Sequence, residues 1–295
     1  MSNSKNYLLT MDVGTVNLAY CLSEYSQEPV NEAGKKILDN LNIVDWGILD
    51  VSYKPLYCKQ IKNKRAICNC VSKFYGLKEG CTDHSNPDNL IGYCKSHAKP
   101  IQAHNKVNKK NKIKIYKISE NPIYKNSFNI QMERLLSSLE KFYLDKIETP
   151  FDIDQEGKPK YISNLKIYIE NQPVFKNPVM KTISIGIFTF FTLKKVLDRS
   201  KISSVNFINA TVKTKDDFIS KLFEIVEVKS YIDKFKDYDK RKEFTIDITN
   251  QIYPKLKNTV NNIVSTSNYI MAKKKDDMAD TLVYVVYVII YLLNN

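Results

Sequence analysis

Apolar residues in this chain fall into runs separated by polar turns. In YLLTMDVGTVNLAY, Tyr7 to Tyr20, an apolar run ends at Asp12, Gly14 permits a tight turn, and a second run starts at Asn17. That is a strand, a turn and a returning strand, with Asp12 where the first strand ends. Asn42 to Ser52 reads as a third strand. Ser127 can cap a helix running to about Ile147, with Phe128, Met132, Leu135, Leu136, Leu139, Phe142 and Tyr143 at helical spacing. In NLKIYIE, Leu165, Ile167 and Ile169 alternate with Lys166, Tyr168 and Glu170, predicting a strand with Glu170 on its more polar face. A long apolar helix starts near Pro178, and Val205 to Thr211 is a further short strand. Asp216 to Lys257 is lysine-rich and helical in pattern, and a last helix follows Lys273 to Lys275. Five strands interleaved with helices in this order predict an α/β fold with a mixed sheet.

Between about Tyr53 and Lys117 the apolar periodicity fades, and Cys, His, Lys and Asn dominate. We read three parts: residues 1–52 as the first part of a core, 53–117 as an insertion, and 118–295 as the rest of the core. Hydrophobic residues make up 43% of 295, enough for a sizeable core. The net charge of +13 points to a polyanionic partner, nucleic acid first, although a lysine-rich surface alone would also give it. No charged region followed by an apolar one opens the chain, so an intracellular protein is expected. The uncharged stretch from Thr281 is too short to span a membrane and is expected to be a buried helix.

The candidate chemistry begins with acids. Asp12 ends a strand, Glu170 ends another, and Asp277 and Asp280, three residues apart, share one face at a helix start. Each has a plainer reading: Asp12 can satisfy turn amides, and Asp276 or Asp277 can be the N-cap, with Asp280 near N3. Together they make an oxygen-only set suited to a hard cation, Mg²⁺ or Mn²⁺, and two such ions could support phosphodiester hydrolysis. All three histidines lie in or just after the insertion, so a histidine base is not expected. No G-x-S-x-G elbow or P-loop is present.

DVGTVNLA, IENQP and KKDDMAD, in that order, resemble the motifs of RuvC-like Holliday junction resolvases of the RNase H superfamily, nearest those of poxvirus type from large DNA viruses. The resemblance implies an RNase H-like five-stranded mixed sheet flanked by helices and a homodimer. It also implies Mg²⁺-dependent symmetric nicking of four-way DNA junctions in viral recombination or concatemer processing, in a cytoplasmic viral factory or the nucleus. By position it implies Asp12, Glu170, Asp277 and Asp280 as the metal-binding catalytic acids. The family's basic residue between the Glu and the final pair matches either Lys213 or Lys242. A nuclease for flaps or RNA–DNA hybrids is the nearest enzymatic rival, and a non-catalytic zinc-containing DNA-binding protein is the other. Asp12 to Thr15 also resembles the first phosphate loop of the actin, Hsp70 and sugar-kinase group, but no glycine follows Gly186 to build the second loop.

Six cysteines without a secretory signal argue against disulfides. Cys21 sits on an apolar strand, where packing suffices. Cys94-x-x-His97 is a tight ligand pair, and Cys58 with Cys68 can complete a structural Zn²⁺ site. Cys70, Cys81, His84 and His104 would form a second set of four, or Cys70 and Cys81 replace one of the first. Such a metal would fold a segment with little core of its own. Lys59, Lys62, Lys64, Arg65, Lys106, Lys109 and Lys110 lie around it as candidates for phosphate contacts.

Overall fold

The structure, a computed structural model, describes residues 5–14, 17–26, 38, 41–51, 56–62, 66–70, 72–84, 87–108, 112–118, 127–153, 157, 159–173, 175, 177–197, 201–226, 238–256 and 267–293. The chain opens with strands β1 (Asn6–Val13), β2 (Asn17–Tyr25) and β3 (Leu41–Asp50). Short strands β4 (Ile61–Lys62), β5 (Ala66–Ile67), β6 (Phe74–Leu77) and β7 (Leu90–Tyr93) follow, then helix α1 (Lys95–Val107) and β8 (Tyr116–Lys117). Helix α2 (Ser127–Phe142) ends in a wider turn, Tyr143–Glu148, and leads to β9 (Asp152–Ile153), β10 (Pro159–Lys160) and β11 (Leu165–Asn171). The chain closes with α3 (Pro178–Leu197), β12 (Ile202–Asn209), α4 (Asp216–Ile225), α5 (Tyr238–Ile252) and α6 (Lys275–Tyr291). Two compact units result, one of residues 1–51 with 135–295, the other of residues 52–134.

The larger unit is built on a five-stranded sheet in the order β12-β11-β1-β2-β3. β1 pairs antiparallel with β2 and parallel with β11, and β11 pairs parallel with β12, so the sheet is mixed. Gly14 sits at the β1–β2 turn, where its N–H donates to Asn17 O at 3.0 Å. A Cβ there would meet that same oxygen at 2.5 Å, which only glycine avoids.

Both faces of the sheet are covered. On one, Leu8, Ala19, Cys21, Tyr168 and Ile208 join Trp46 and the apolar sides of α4, α5 and α6 in one core. Thr10 Oγ1 donates to Thr281 O at 2.8 Å, and Trp46 Nε1 to Met278 O at 3.1 Å, pinning α6 to the strands. On the other, Tyr20 meets Phe142 edge-on at 4.7 Å and Phe207 stacks on Phe188 at 4.6 Å. Two covered faces explain why β11 departs from the expected alternation. Tyr168 and Glu170 are only 8% and 6% exposed, so the face read as polar is buried under α6. β12 also starts at Ile202, before the expected Val205. Burial all round α6 from Met278 to Ile289 agrees with a buried helix, and no helix of the described residues is long and apolar enough to cross a membrane.

The smaller unit has a sheet ordered β7-β6-β8 and a separate β4–β5 hairpin. Among the described residues its core is Tyr75 and Leu90, with Leu56, Leu77, Tyr116 and Ile118 against them. Gly92 lets the chain beside Cys58 pass closely, since a Cβ would lie 2.6 Å from Tyr57 O. So few apolar side chains make a covalent or metal crosslink the expected source of extra stability.

Candidate active site and metal centre

The register pairs Met11 with Ile169 on adjacent parallel strands. One residue further on, Asp12 and Glu170 therefore emerge side by side, toward α6. Asp280 comes from the second turn of α6, and Lys213 from a short 3₁₀ turn, Ala210–Thr214, that follows β12. Lys213 Nζ donates to Asp280 Oδ2 and lies 4.9 Å from the Tyr284 ring centre. Tyr284 Oη donates to Glu170 Oε1 at 2.9 Å. Gln172 Nε2 holds the other oxygen, Glu170 Oε2, at 2.6 Å, and also reaches Val13 O at 3.2 Å.

Three carboxylates share this site with one lysine. Burial pushes the Asp12 carboxyl well above the usual range, and Glu170, which shares a hydrogen bond with it, and Asp280 push further against a smaller pull from Lys213. Burial likewise raises Asp280, with Lys213 opposing and Glu170 adding to the rise. Burial alone would lower Lys213, but Asp280, Glu170 and Asp12 together hold its ammonium above the ordinary lysine value. Tyr284 is raised too, first by burial and then by the same three acids, so its hydroxyl keeps its proton and acts as a donor. Fully ionised, the group would carry two uncompensated negative charges. Such a site relaxes either by holding protons or by taking up cationic charge.

The structure separates residues that sequence alone left equivalent. Of the two candidate lysines, Lys213 joins the acids, whereas Lys242 Nζ donates to Asp276 Oδ2. That contact, helped by Lys274, outweighs burial and holds Asp276 below the usual carboxylate range. Asp277 is raised first by burial and then by Asp276, against opposing pulls from Lys274 and Lys242, and Asp280 adds a smaller rise. The N-cap of α6 is Lys274, so neither Asp276 nor Asp277 caps the helix as the plainer reading had it; both lie in its first turn. Sequence reading passed over Tyr284 and Gln172. The available signal was spacing: Tyr284 lies one helical turn beyond Asp280, and Gln172 two residues beyond Glu170 on the same strand edge.

The second site lies within the smaller unit. Cys58 precedes the β4–β5 hairpin and Cys68 follows it, and Cys68 N–H donates to Gln60 O at 2.8 Å to close it. Cys94 is the N-cap of α1 and His97 lies in its first turn. The ligand atoms of Cys58, Cys68, Cys94 and His97 all lie within 4.8 Å of one another, a cluster that could hold a metal ion. Cys68 Sγ and Cys94 Sγ are 3.8 Å apart, and His97 Nδ1 is 3.3 Å from both Cys58 Sγ and Cys94 Sγ. A tetrahedral zinc would need about 3.8 Å between sulfurs and about 3.6 Å between sulfur and nitrogen. The spacing fits such an ion and is far beyond a disulfide; all six cysteines are free. The backbone N–H of His97 lowers the Cys94 thiol, and that of Cys70 lowers Cys68, favouring the thiolate; burial raises Cys58.

The suggested second set is not assembled. His84 Nδ1 pairs with Tyr75 Oη at 2.9 Å and its ring packs on Tyr116, while His104 in α1 pairs with Asn108, the C-cap of that helix. Among the described residues, Cys58, Cys68, Cys94 and His97 form the one group of three or more His, Cys, Asp or Glu with ligand atoms this close, so Cys70 and Cys81 replace no member of it. Asp12, Glu170 and Asp280 do not all approach one another to that distance.

No protein-family model matches the chain, and no solved structure matches it. A protein of Acanthamoeba polyphaga mimivirus, described as uncharacterized, is 23% identical over 324 residues, covering 92% of this chain and 72% of that protein.

Proposed function

We propose that this chain is a metal-dependent phosphodiesterase of RNase H-like type that nicks branched DNA, four-way junctions first. One observation carries the reading: Asp12, Glu170 and Asp280 meet Lys213 at the ends of adjacent strands and the start of a helix. Mg²⁺ or Mn²⁺ would be held by these carboxylates, two ions per site, with Asp277 at the edge. When bound, the ions supply activation of a water and stabilisation of the leaving oxygen. The chain's own groups do the positioning. Tyr284 and Gln172 fix both oxygens of Glu170, and Lys213 orients Asp280 while limiting repulsion among the acids. In the reaction, water oxygen bonds to phosphorus as the bond to a sugar oxygen breaks, and that oxygen takes up a proton.

Zn²⁺ belongs to this reading as a structural ion on Cys58, Cys68, Cys94 and His97, supported by the cluster's spacing and by the unit's small core. Thiolate and imidazole suit zinc, and carboxylates suit a hard cation, so the two metals do not compete. A homodimer also belongs to it. Helix α3 leaves Ile185, Leu193 and Val196 about half or more exposed, on a side that a second copy would cover. The similarity to a mimivirus protein is in keeping with an origin in a large DNA virus. The test is incubation with a labelled four-way junction, a flap and a hybrid duplex, in Mg²⁺ or EDTA. Cutting confined to Mg²⁺ and strongest on the junction supports the proposal. Binding without cutting would favour a zinc-containing DNA-binding protein.

A further inference from the structure

The charge of this chain is divided unequally between its two units. Residues 52–134 hold 17 Lys and Arg against 5 Asp and Glu, so this unit carries +12 of the chain's +13. The unit with the carboxylate site is close to neutral. Acids that hold a cation therefore sit in one unit, and the net attraction for a polyanion sits in the other.

The smaller unit also has an unusual apolar feature. Ile61 and Ile67 are directly opposite one another on the antiparallel β4–β5 hairpin, so their side chains project to the same side. They are 67% and 64% exposed, where a two-stranded ribbon would normally carry polar residues. An isolated hairpin this short is not stable alone. Here it lies between two members of the Cys/His cluster, Cys58 and Cys68, which close its base. Exposed lysines flank the same ligands: Lys59 follows Cys58, and Lys95 and Lys99 sit on the first turns of α1 beside Cys94 and His97.

We infer that the metal-held hairpin is a nucleic-acid docking element, in which Lys59, Lys95 and Lys99 contact phosphates and the Ile61–Ile67 pair packs against bases exposed where stacking is interrupted. Apolar side chains flanked by cations are the chemistry that enters a disrupted base step, because the bases there offer flat apolar faces within a field of phosphates. The charge selects a polyanion, and the paired isoleucines select one with accessible bases over a smooth duplex. This inference rests on the reading that the chain acts on nucleic acid, and it adds where a branch point is gripped.

The test uses the full chain with no Mg²⁺ or Mn²⁺ added and no chelator, so that nothing is cut and the zinc stays in place, with binding followed by fluorescence anisotropy. The probes are a labelled four-way junction, a linear duplex of the same sequence and phosphatidylserine vesicles. Lys59→Ala, Lys95→Ala and Lys99→Ala combined should reduce the slope of log affinity against log salt by about 2 to 3, since each phosphate contact contributes about 0.9. Ile61→Ser with Ile67→Ser should leave that slope unchanged and lower the preference for junction over duplex by about tenfold. Unchanged zinc content and melting temperature establish that both variants are folded. Slopes and preferences equal to those of the unaltered protein would overturn the inference, as would tighter binding to the vesicles than to either DNA. A chain that grips junctions in this way but cuts none would contradict the catalytic proposal and leave this one standing.

Discussion

Tyr284 Oη donates to Glu170 Oε1 at 2.9 Å, joining two residues 114 positions apart. The contact ties the last helix to a central strand at the point where the acids gather.

Tyr284→Phe should therefore keep the fold and impair the site. The ring remains packed, so the loss in stability should be about 1 kcal/mol, the worth of one hydrogen bond. The single-turnover cleavage rate should fall by about tenfold or more, with a higher Mg²⁺ requirement, as for a lost support of a metal ligand. A metal titration of the cleavage rate checks both.

The raised carboxyls predict how stability depends on pH. Below the ordinary value of 3.8, Asp12 and Asp280 are protonated both folded and unfolded and contribute nothing. Above it, the unfolded chain releases these protons first, so their contribution favours unfolding increasingly until the pH passes the raised folded values. With no Mg²⁺ or Mn²⁺ added and no chelator, Asp12→Asn should melt higher than the unaltered protein at neutral pH, and the difference should shrink toward pH 4. Thermal melts across that range decide this. Saturating Mg²⁺ should stabilise the unaltered protein more than the variant.

Lys213 and Lys242 should behave differently. Lys213→Ala should lower the single-turnover rate on a junction far more than it lowers affinity, because Lys213 contacts Asp280 within the acid group. Lys242→Ala should leave the rate within about threefold, since its partner is Asp276 and not one of the grouped acids Asp12, Glu170 and Asp280.

Purified protein should hold one tightly bound zinc per chain. Cys94→Ser with His97→Ala should abolish it and loosen residues 52–134, while the acids of the other unit keep their Mg²⁺ response. Elemental analysis of protein made without nickel affinity columns, together with limited proteolysis, measures each part.

Much of this architecture was legible in the sequence because its strands and long helices are apolar runs closed by turn residues. The Gly14 turn, the helix from Pro178 and the buried closing helix all follow from local pattern. The burial of Glu170 was not legible, because alternation with Lys166 and Tyr168 says nothing about a helix arriving from a hundred residues away to cover that face. The choice between Lys213 and Lys242 was equally hidden: both lie near acids in sequence, and only the 3₁₀ turn after β12 aims one at Asp280. The cluster of Cys58, Cys68, Cys94 and His97, which could hold a metal, was readable. The remaining Cys and His residues look the same in sequence, yet His84 is occupied by Tyr75 and Tyr116.

The most direct test of the account is cleavage of a labelled four-way junction by the unaltered protein, Asp12→Asn, Glu170→Gln and Asp280→Asn, each in Mg²⁺ and in EDTA, with binding measured in parallel. The account predicts nicking by the unaltered protein in Mg²⁺ alone and loss of nicking in all three variants, with junction affinity and folding retained. Nicking that persists in EDTA, or in folded variants lacking these carboxylates, would contradict it.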